Sequence, residues 1–368
     1  MLPAASMRGR RHPALDQRPS RRLFCSTCRA SPVLRESGIV VQIGVAGQPV
    51  IQVPKLPDGG CMDSLRMTEE VKSLGIEQYA EELEETGLTV LPPEANQFGE
   101  SRMEEVVQRI LDRAQEMTGV EFSIEEGPLQ ELEFPTPNIP ADSLKKLKAS
   151  NMADAVLKPT QFLIQKLTHE HRIFRDLALN PASIALQNFI MAGQTRLSSV
   201  NCFVKWQGDF GYGPTLGLHA DQGATPTPWG AVAHSANSTW CLTDYTLDGG
   251  ALAYIPGSHK EGQPVPPPDR VKDAVPVEAP KGSLIVFHGA TWHGAFPRKD
   301  KGLRLGLAVY HRHAANLPQE DLPGLTVDEM IADTDNPKVY RAIAGVDDKF
   351  PYREEQSEAV PQRKVATG

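Results

Sequence analysis

The feature that most constrains the fold is a change in sequence pattern near Ser198. Before this residue, apolar side chains recur at helical spacing, whereas after it short β-favouring runs alternate with Gly and Pro. No long helical pattern separates these runs, so parallel βαβ units are excluded and an antiparallel jelly roll is predicted. The predicted strands are Val200–Trp206, Ser238–Asp244, Ala251–Ile255, Gly282–Phe287 and Leu303–His311.

Two helices are predicted in the first part of the chain. The first ends before Gly87, a residue suited to a C-terminal cap, and a short strand over Leu88–Leu91 follows it. The second begins at a capping-box pattern formed by Ser101 and Glu104 and ends at Gly119. The apolar face of the first helix holds Ile76, Tyr79, Ala80 and Leu83, and that of the second holds Met103, Val106, Val107, Ile110, Leu111, Ala114 and Met117.

Further helices are predicted between about Asp142 and Met191. We expect the apolar side chains there to be helix-core residues, namely Phe162, Leu163, Leu167, Ile173, Phe174 and Leu177. The predicted organisation is a leader over 1–61, a folded domain over 62–345 and a polar tail over 346–368. Within the domain, residues 62–195 form the helical part and residues 196–315 form the jelly-roll core.

Charge separates the leader from the rest of the chain. The whole chain has a net charge of −8, but residues 1–61 carry a net charge of +6. This composition is typical of an organelle transit peptide or a disordered arm, and a start codon assigned too early explains it equally well. The acidic remainder argues against a nucleic-acid partner. No apolar stretch is long enough for a membrane helix, so no membrane partner is expected.

The five cysteines are too few, and odd in number, for a disulfide framework. They indicate a reducing compartment, so a cytoplasmic location is predicted, with an organelle as the alternative if the leader is a transit peptide. Cys25 and Cys28 are spaced as half of a zinc site. A convincing second half is missing, and we interpret them as an incidental pair.

His219-Ala220-Asp221 is a candidate metal motif. On a strand, the first and third residues point to the same side, so both side chains can reach one ion. His293, on a distant predicted strand, supplies a third ligand, and two His with one carboxylate are the ligands of non-haem Fe(II) oxygenases. Two alternatives exist: His288 could replace His293, and His259-Lys260-Glu261 repeats the short pattern in a Pro-rich loop setting.

Arg304 is the candidate cosubstrate anchor. On its predicted strand it shares one face with Gly306 and Ala308, while large aliphatic residues occupy the other face. Small neighbours let the guanidinium extend into a cavity, where its paired donors match the carboxylate of 2-oxoglutarate. The charges of Fe(II), Asp221, 2-oxoglutarate and Arg304 sum to zero, as a buried site requires. The alternative is a strand arginine that binds no ligand.

The sequence resembles the phytanoyl-CoA dioxygenase family of Fe(II)- and 2-oxoglutarate-dependent oxygenases over roughly residues 76–313. The resemblance rests on blocks whose order and spacing match the family pattern: Leu218-His219-Ala220-Asp221-Gln222, Trp240-Cys241-Leu242-Thr243-Asp244, Gly250–Lys260, His293-Gly294 and Arg304.

The resemblance implies a mainly β fold with flanking helices, a cupin-like double-stranded β-helix. It also implies Fe(II) as cofactor, 2-oxoglutarate and O2 as cosubstrates, and hydroxylation of carbon with release of succinate and CO2. By the same resemblance Trp240 and Lys205 are expected to line the cosubstrate pocket. Ala295 stands where the family often has a hydroxyl residue, so one expected hydrogen bond to the cosubstrate is missing.

Other functions remain open at this point. A non-catalytic or zinc-binding jelly roll would keep the fold without turnover, since fold alone does not fix function. An interaction protein using the acidic surface and basic leader is a third hypothesis. The substrate is expected to be a small molecule, but an acyl-CoA, a free lipid acid and another metabolite all fit the sequence, which also does not define the oligomeric state.

Overall fold

The computed structural model describes residues 67–132, 145, 160–208 and 215–348. Its α-helices are α1 Glu69–Leu74, α2 Glu77–Thr86, α3 Pro93–Asn96, α4 Glu100–Thr118, α5 Leu167–Glu170, α6 Arg172–Ala178, α7 Pro181–Ile190, α8 Leu322–Leu325, α9 Asp328–Ala332 and α10 Pro337–Ile343. Its strands are β1 Leu88–Leu91, β2 Phe122–Ser123, β3 Gly127–Pro128, β4 Gln161–Ile164, β5 Thr195–Gly208, β6 Ser235–Cys241, β7 Leu252–Tyr254, β8 Val275–Val277, β9 Leu284–His288, β10 His293–Ala295 and β11 Arg298–His313.

The strands form two antiparallel sheets and one small hairpin. The larger sheet has the order β1-β9-β6-β11-β5-β4, the smaller has the order β10-β7-β8, and β2 pairs with β3. An isolated bridge between His219 and His293 joins a further segment to the smaller sheet at β10. The predicted fold class is confirmed: the protein is a jelly roll of the double-stranded β-helix type with flanking helices.

Strand β11 shows how the two faces of the larger sheet differ. Its aliphatic residues, from Leu303 to Val309 at every second position, belong to the main hydrophobic core together with residues of α2, α4 and α7. Arg304, Gly306, Ala308 and Tyr310 alternate with them and therefore lie on the opposite face. We call the face that carries Arg304 the inner face of the larger sheet.

The predictions for the first two helices and the strand after them are largely confirmed. Helix α2 ends at Gly87, whose positive φ of 84° suits the left-handed cap, and β1 follows at once. Helix α4 ends at Gly119 as predicted, but its N-terminal cap is Gly99, so the predicted capping box at Ser101 is wrong. Met117 is also not part of the buried face, since it is 49% exposed.

The predictions for the later strands are confirmed in position, but β5 and β11 extend beyond the runs detected in the sequence. Phe162 and Leu163 are not helix-core residues as predicted. They lie in β4, which pairs with β5 and adds an edge strand to the larger sheet. A four-residue apolar run cannot by itself distinguish a strand from a helix, so the sequence pattern was ambiguous here.

Several predictions concern residues outside those that the structure describes. These are the leader over 1–61, the Cys25 and Cys28 pair, the first part of the predicted helical region over 142–144 and 146–159, and the tail from residue 349 onward, so the predicted domain boundaries stay predictions. Among the described helices, none combines the length and the apolar character needed to cross a membrane.

Candidate metal centre

His219, Asp221 and His293 come together where the smaller sheet meets the segment that carries the predicted motif. Their potential ligand atoms all lie within 4.8 Å of one another, and no other group of three His, Cys, Asp or Glu side chains in the described parts of the chain has this property. Two antiparallel backbone hydrogen bonds, of 3.0 and 2.9 Å, hold the backbone of His219 beside that of His293. The motif argument assumed that Asp221 lies on a strand. In the structure Asp221 instead begins a 3-10 helix, Asp221–Ala224.

The imidazole rings are oriented by their backbone. Nδ1 of His219 lies 2.8 Å from the carbonyl oxygen of Gly217, and Nδ1 of His293 lies 3.0 Å from that of Thr291. Only a protonated Nδ1 can donate to a carbonyl, so both Nε2 atoms are left as acceptors. Such second-shell hydrogen bonds are typical of metal-binding histidines, because they fix both the tautomer and the ring orientation.

Both Nε2 atoms point towards Asp221. Each lies 3.5 Å from Oδ1 of the carboxylate, and the ring centroids of the two histidines are 4.6 Å apart. The interaction with Asp221 raises the pKa of His219, whereas burial lowers the pKa of His293. Burial would raise the pKa of the Asp221 carboxyl, but the two imidazoles hold it below its ordinary value.

The group fits a divalent cation. Oδ1 of Asp221 and the two Nε2 acceptors converge on one point, and the carboxylate is largely buried. A cation held between these three atoms would balance the buried negative charge. The His219 side chain is 50% exposed, so one side of the centre stays open for further ligands. Two His and one carboxylate with open positions are the ligand set of non-haem iron enzymes.

The two alternative histidines lie outside this group. The rings of His259 and His288 have centroids 5.4 Å apart and form a pair of their own. Nε2 of His259 contacts the carbonyl oxygen of Glu84, and Nδ1 of His288 accepts from the backbone N–H of Ala290. The structure therefore brings together the three residues chosen first and neither alternative.

Arg304 lies on the inner face of the larger sheet, on the row of β11 that continues through Ala308 to Tyr310. It is 5% exposed, its Nη1 donates to the hydroxyl of Tyr245 at 3.1 Å, and its guanidinium stacks over the Tyr245 ring at 5.2 Å. Burial raises the pKa of Tyr245 to about 12, so its hydroxyl stays protonated at neutral pH. The sequence analysis missed Tyr245, which follows the predicted strand Ser238–Asp244 and belongs to no recognisable pattern.

Gly306 makes the Tyr245 contact possible. A Cβ at this position would collide with the Tyr245 hydroxyl and approach Nη1 of Arg304 to 3.3 Å. The sequence predicted that small residues beside Arg304 leave it room. The structure adds that Gly306 also admits the tyrosine that orients the guanidinium.

Lys205 pairs directly with Arg304 across β5 and β11, so both side chains are on the inner face. Lys205 is fully buried, and its Nζ donates to the carbonyl oxygen of Phe296 at 2.7 Å. Burial, followed by the nearby Arg304 and Arg298, lowers the pKa of Lys205 to about 6. The structure thus places Lys205 beside the candidate anchor, as an uncharged donor at neutral pH.

Trp240 is not at this site. It pairs with Leu307 on β11, so it points to the face opposite Arg304. There it packs in the main core, with its ring centroid 5.1 Å from that of Phe98. The expectation that Trp240 lines the cosubstrate pocket is therefore corrected: the residues of β6 on the inner face are Ser235, Asn237, Thr239 and Cys241.

The sequence analysis also missed the polar residues next to Asp221. The hydroxyl of Tyr310 donates to the carbonyl oxygen of Asp221 at 3.3 Å, and Asn237, its partner across β6 and β11, lies on the same face. The predicted alternation along β11 would have placed Tyr310 on the inner face, but it gave no indication of its contact.

Comparisons with known proteins match the part of the chain that contains the candidate metal ligands and Arg304. The model of the phytanoyl-CoA dioxygenase (PhyH) family matches residues 91–306. The chain is 34% identical over 141 residues to the dioxygenase af480 of Aspergillus fumigatus, which is 37% of this chain and 44% of that protein. It is 36% identical over 93 residues to the dioxygenase cdmD of Talaromyces verruculosus, which is 24% of this chain and 30% of that protein. The chain thus covers less than half of either relative.

The solved structures that match this chain are more distant in sequence. The non-haem α-ketoglutarate-dependent epimerase SnoN from nogalamycin biosynthesis is 17% identical, with a TM-score of 0.45 over 70% of this chain and 92% of that one. HygX from Streptomyces hygroscopicus, solved with nickel and 2-oxoglutarate, is 14% identical, with a TM-score of 0.45 over 66% and 88%. The family match covers more than half of the chain, so the protein belongs to the phytanoyl-CoA dioxygenase family of iron- and 2-oxoglutarate-dependent oxygenases.

Proposed function

We propose that this protein hydroxylates an aliphatic carbon of a small-molecule or acyl substrate, acyl-CoA esters included, with release of succinate and CO2. In this proposal His219, Asp221 and His293 bind Fe(II), and Arg304 binds 2-oxoglutarate. The observation that carries it is the convergence of two Nε2 atoms and one carboxylate, with both rings fixed through Nδ1.

When bound, Fe(II) and 2-oxoglutarate supply the oxidising chemistry that inserts one oxygen atom of O2 into a C–H bond. The chain's own contribution is to position these groups. The inner face of β11 runs from Arg304 to Tyr310, whose hydroxyl donates to the backbone of Asp221. At about 3.3 Å per residue, the Cα atoms of Arg304 and Ala308 are roughly 13 Å apart. Gly306 leaves room for the Tyr245 hydroxyl that contacts Arg304, and Ala308 adds only a methyl group to the row between Arg304 and Tyr310.

The charges around the site support a dianionic cosubstrate. In the ligand-free site, burial lowers the pKa of Lys205 to about 6, so Arg304 is the cation of this pair before the cosubstrate binds. The charges of Fe(II), Asp221, 2-oxoglutarate and Arg304 then cancel, and the buried end of the site carries no net charge. The hydroxyl of Tyr245, which stays protonated, accepts from Nη1 of Arg304 and holds the guanidinium in place.

The test is turnover by the purified full-length protein. We expect succinate to form from 2-oxoglutarate only when Fe(II) and O2 are both supplied, and a chelator to abolish it. Replacing Fe(II) with Zn(II) should leave metal binding intact and stop succinate formation. Metal binding without any iron-dependent succinate formation, across a broad substrate screen, would favour the non-catalytic jelly-roll hypothesis.

We also propose a reducing location for the protein, the cytoplasm or, if the leader is a transit peptide, an organelle. Cys202 and Cys241 are free and buried in the folded domain, as expected for thiols that form no disulfide. Fractionation of cells that express the full chain, with and without residues 1–61, distinguishes the two locations.

A further inference from the structure

A cavity of about 320 Å³ lies beside the candidate metal centre, because Asp221 is one of the residues that line it. Four further polar side chains, those of Ser199, Asn201, Gln319 and Glu320, also line it. A molecule that occupies this cavity beside the metal centre is therefore within reach of these four side chains.

The four side chains form a connected network. The hydroxyl of Ser199 is 2.6 Å from Oε1 of Gln319 and 3.0 Å from the Asn201 amide nitrogen. With its amide group rotated by 180°, Asn201 instead donates to Oε1 of Glu320 at 3.2 Å, and the single Ser199 hydroxyl proton then goes to the Asn201 oxygen in place of Gln319. The loop that carries Gln319 and Glu320 is itself tied to β5, because their backbone N–H groups donate to Oγ and O of Ser198 at 2.9 and 3.0 Å. The polar groups are thus held in fixed positions before any ligand binds.

Glu320 is the most unusual member of the network. It is only 9% exposed, and its Oε1 accepts from the backbone N–H of Lys166 at 3.0 Å. Its other oxygen, Oε2, is buried and has no hydrogen-bond partner among the described residues. Burial raises the pKa of Glu320. The backbone N–H groups of Lys166 and Val200 oppose this shift, because they stabilise the charged carboxylate. Because Glu320 lines the cavity, a ligand there lies next to a carboxyl group whose hydrogen-bonding capacity the described residues do not fill.

Charge narrows the ligand further. Asp221 and Glu320 are both acidic, and among the described lining residues the one cation is Lys166, which is exposed to solvent. A carboxylate or phosphate in this cavity would face Glu320 without a buried cation to balance it. The amide, hydroxyl and carboxyl groups of the cavity can instead pair with hydroxyl groups on a ligand, because each ligand hydroxyl both donates and accepts hydrogen bonds.

We propose that this cavity binds a small hydroxylated molecule that carries no phosphate or carboxylate, with its hydroxyl groups hydrogen-bonded to Gln319, Asn201 and Glu320. The inference rests on the proposed function and narrows it, because it disfavours acyl-CoA esters and free fatty acids as substrates. Leu163 and Phe203 also line the cavity and provide apolar contacts for the carbon skeleton of such a molecule.

The test is a substrate screen with the iron-loaded full-length protein. One panel contains neutral hydroxylated compounds such as myo-inositol, glucose and simple glycosides, a second contains amino sugars, and a third contains palmitoyl-CoA and palmitate. We expect a neutral hydroxylated compound to stimulate succinate formation at least tenfold, with no stimulation by the third panel. If only amino sugars stimulate succinate formation, the cavity binds ammonium groups and the proposal is wrong.

Variants test the residues directly. Because a site built to hydrogen-bond a hydroxyl group loses affinity when that partner is removed, Gln319→Leu and Glu320→Gln should lower kcat/KM for the stimulating compound by about tenfold or more. The affinity for 2-oxoglutarate should stay unchanged in both. Gln207→Leu is the matched control, since Gln207 is exposed, bonds the carbonyl of Lys299 and does not line the cavity.

The outcomes separate this inference from the function on which it rests. If 2-oxoglutarate binds but acyl-CoA or palmitate stimulates turnover, or no neutral hydroxylated compound does, the inference alone is wrong. Unchanged kcat/KM in both cavity variants would also overturn it. If the protein does not bind 2-oxoglutarate at all, the proposed function and this inference fail together.

Discussion

Replacing Arg304 with Lys is the most informative single change at the cosubstrate end of the site. Lysine keeps the positive charge but presents one ammonium group in place of the paired donors of a guanidinium. It also loses the contacts of Arg304 with the Tyr245 hydroxyl and ring, at 3.1 and 5.2 Å. We therefore expect a specific loss of affinity for 2-oxoglutarate, with Fe(II) binding retained.

The size of the loss follows from burial. Arg304 is 5% exposed, so its contact with a carboxylate is desolvated. Disrupting a buried, hydrogen-bonded charge pair costs on the order of 2 to 5 kcal/mol. Since each 1.4 kcal/mol corresponds to about a tenfold change in Kd, the dissociation constant for 2-oxoglutarate should rise at least about thirtyfold.

The assay is anaerobic calorimetric titration of 2-oxoglutarate into the iron-loaded wild type and variants. Arg298→Lys is the matched control, because Arg298 is also buried on β11 but donates to the backbone carbonyls of Gly249, Lys301 and Gly302. The control should keep its affinity for 2-oxoglutarate when folded. Normal affinity in Arg304→Lys would refute the reasoning, and a loss in Lys205→Met instead would move the anchor to Lys205.

Three further changes test other parts of the structure. Gly306→Ala should push the Tyr245 hydroxyl away from Arg304 and weaken 2-oxoglutarate binding by about tenfold with unchanged iron content; unaltered affinity would show that this contact has no role. Lys205 binds fewer protons in the folded state than in the unfolded state between pH of about 6 and 10.5, so the free energy of unfolding should rise with pH across this window. Lys205→Met should remove that pH dependence. In denaturant titrations near pH 6, it should raise the free energy of unfolding of the ligand-free protein by up to about 6 kcal/mol. A destabilised variant would contradict the assigned pKa. Removal of residues 1–61 should leave Tm and the rate of succinate formation nearly unchanged, because these residues lack a periodic pattern; a truncated protein that does not fold would disprove this.

The sequence predicted those parts of the fold in which two kinds of residue alternate along a strand. Along β11 the large aliphatics and the small or polar residues occupy opposite faces, so the orientation of Arg304 could be derived before the structure was known. The same reasoning failed for Trp240. Strand β6 is buried on both faces, so its residues show no alternation that distinguishes Trp240 from Thr239 or Cys241.

Contacts between distant segments could not be predicted. Tyr245 reaches Arg304 across 59 residues of sequence, and Glu320 reaches the backbone of Lys166 across 154 residues. Neither residue belongs to a periodic pattern or motif, and only the folded chain brings them to the site. The metal motif succeeded for a different reason: the ligand types and their spacing were informative even though Asp221 lies on a 3-10 turn and not on a strand.

The central claim is that His219, Asp221 and His293 hold the iron. The most direct measurement is bound iron together with succinate formation in His219→Ala, Asp221→Ala and His293→Ala, with His259→Ala and His288→Ala as controls and circular dichroism to confirm folding. We expect each of the first three variants to lose iron and turnover, because removing one ligand leaves too few donors to retain the ion. The controls should keep their iron, since His259 and His288 lie outside the ligand group. Retention of iron and turnover in the three ligand variants, with loss of both in either control, would contradict the assigned metal site.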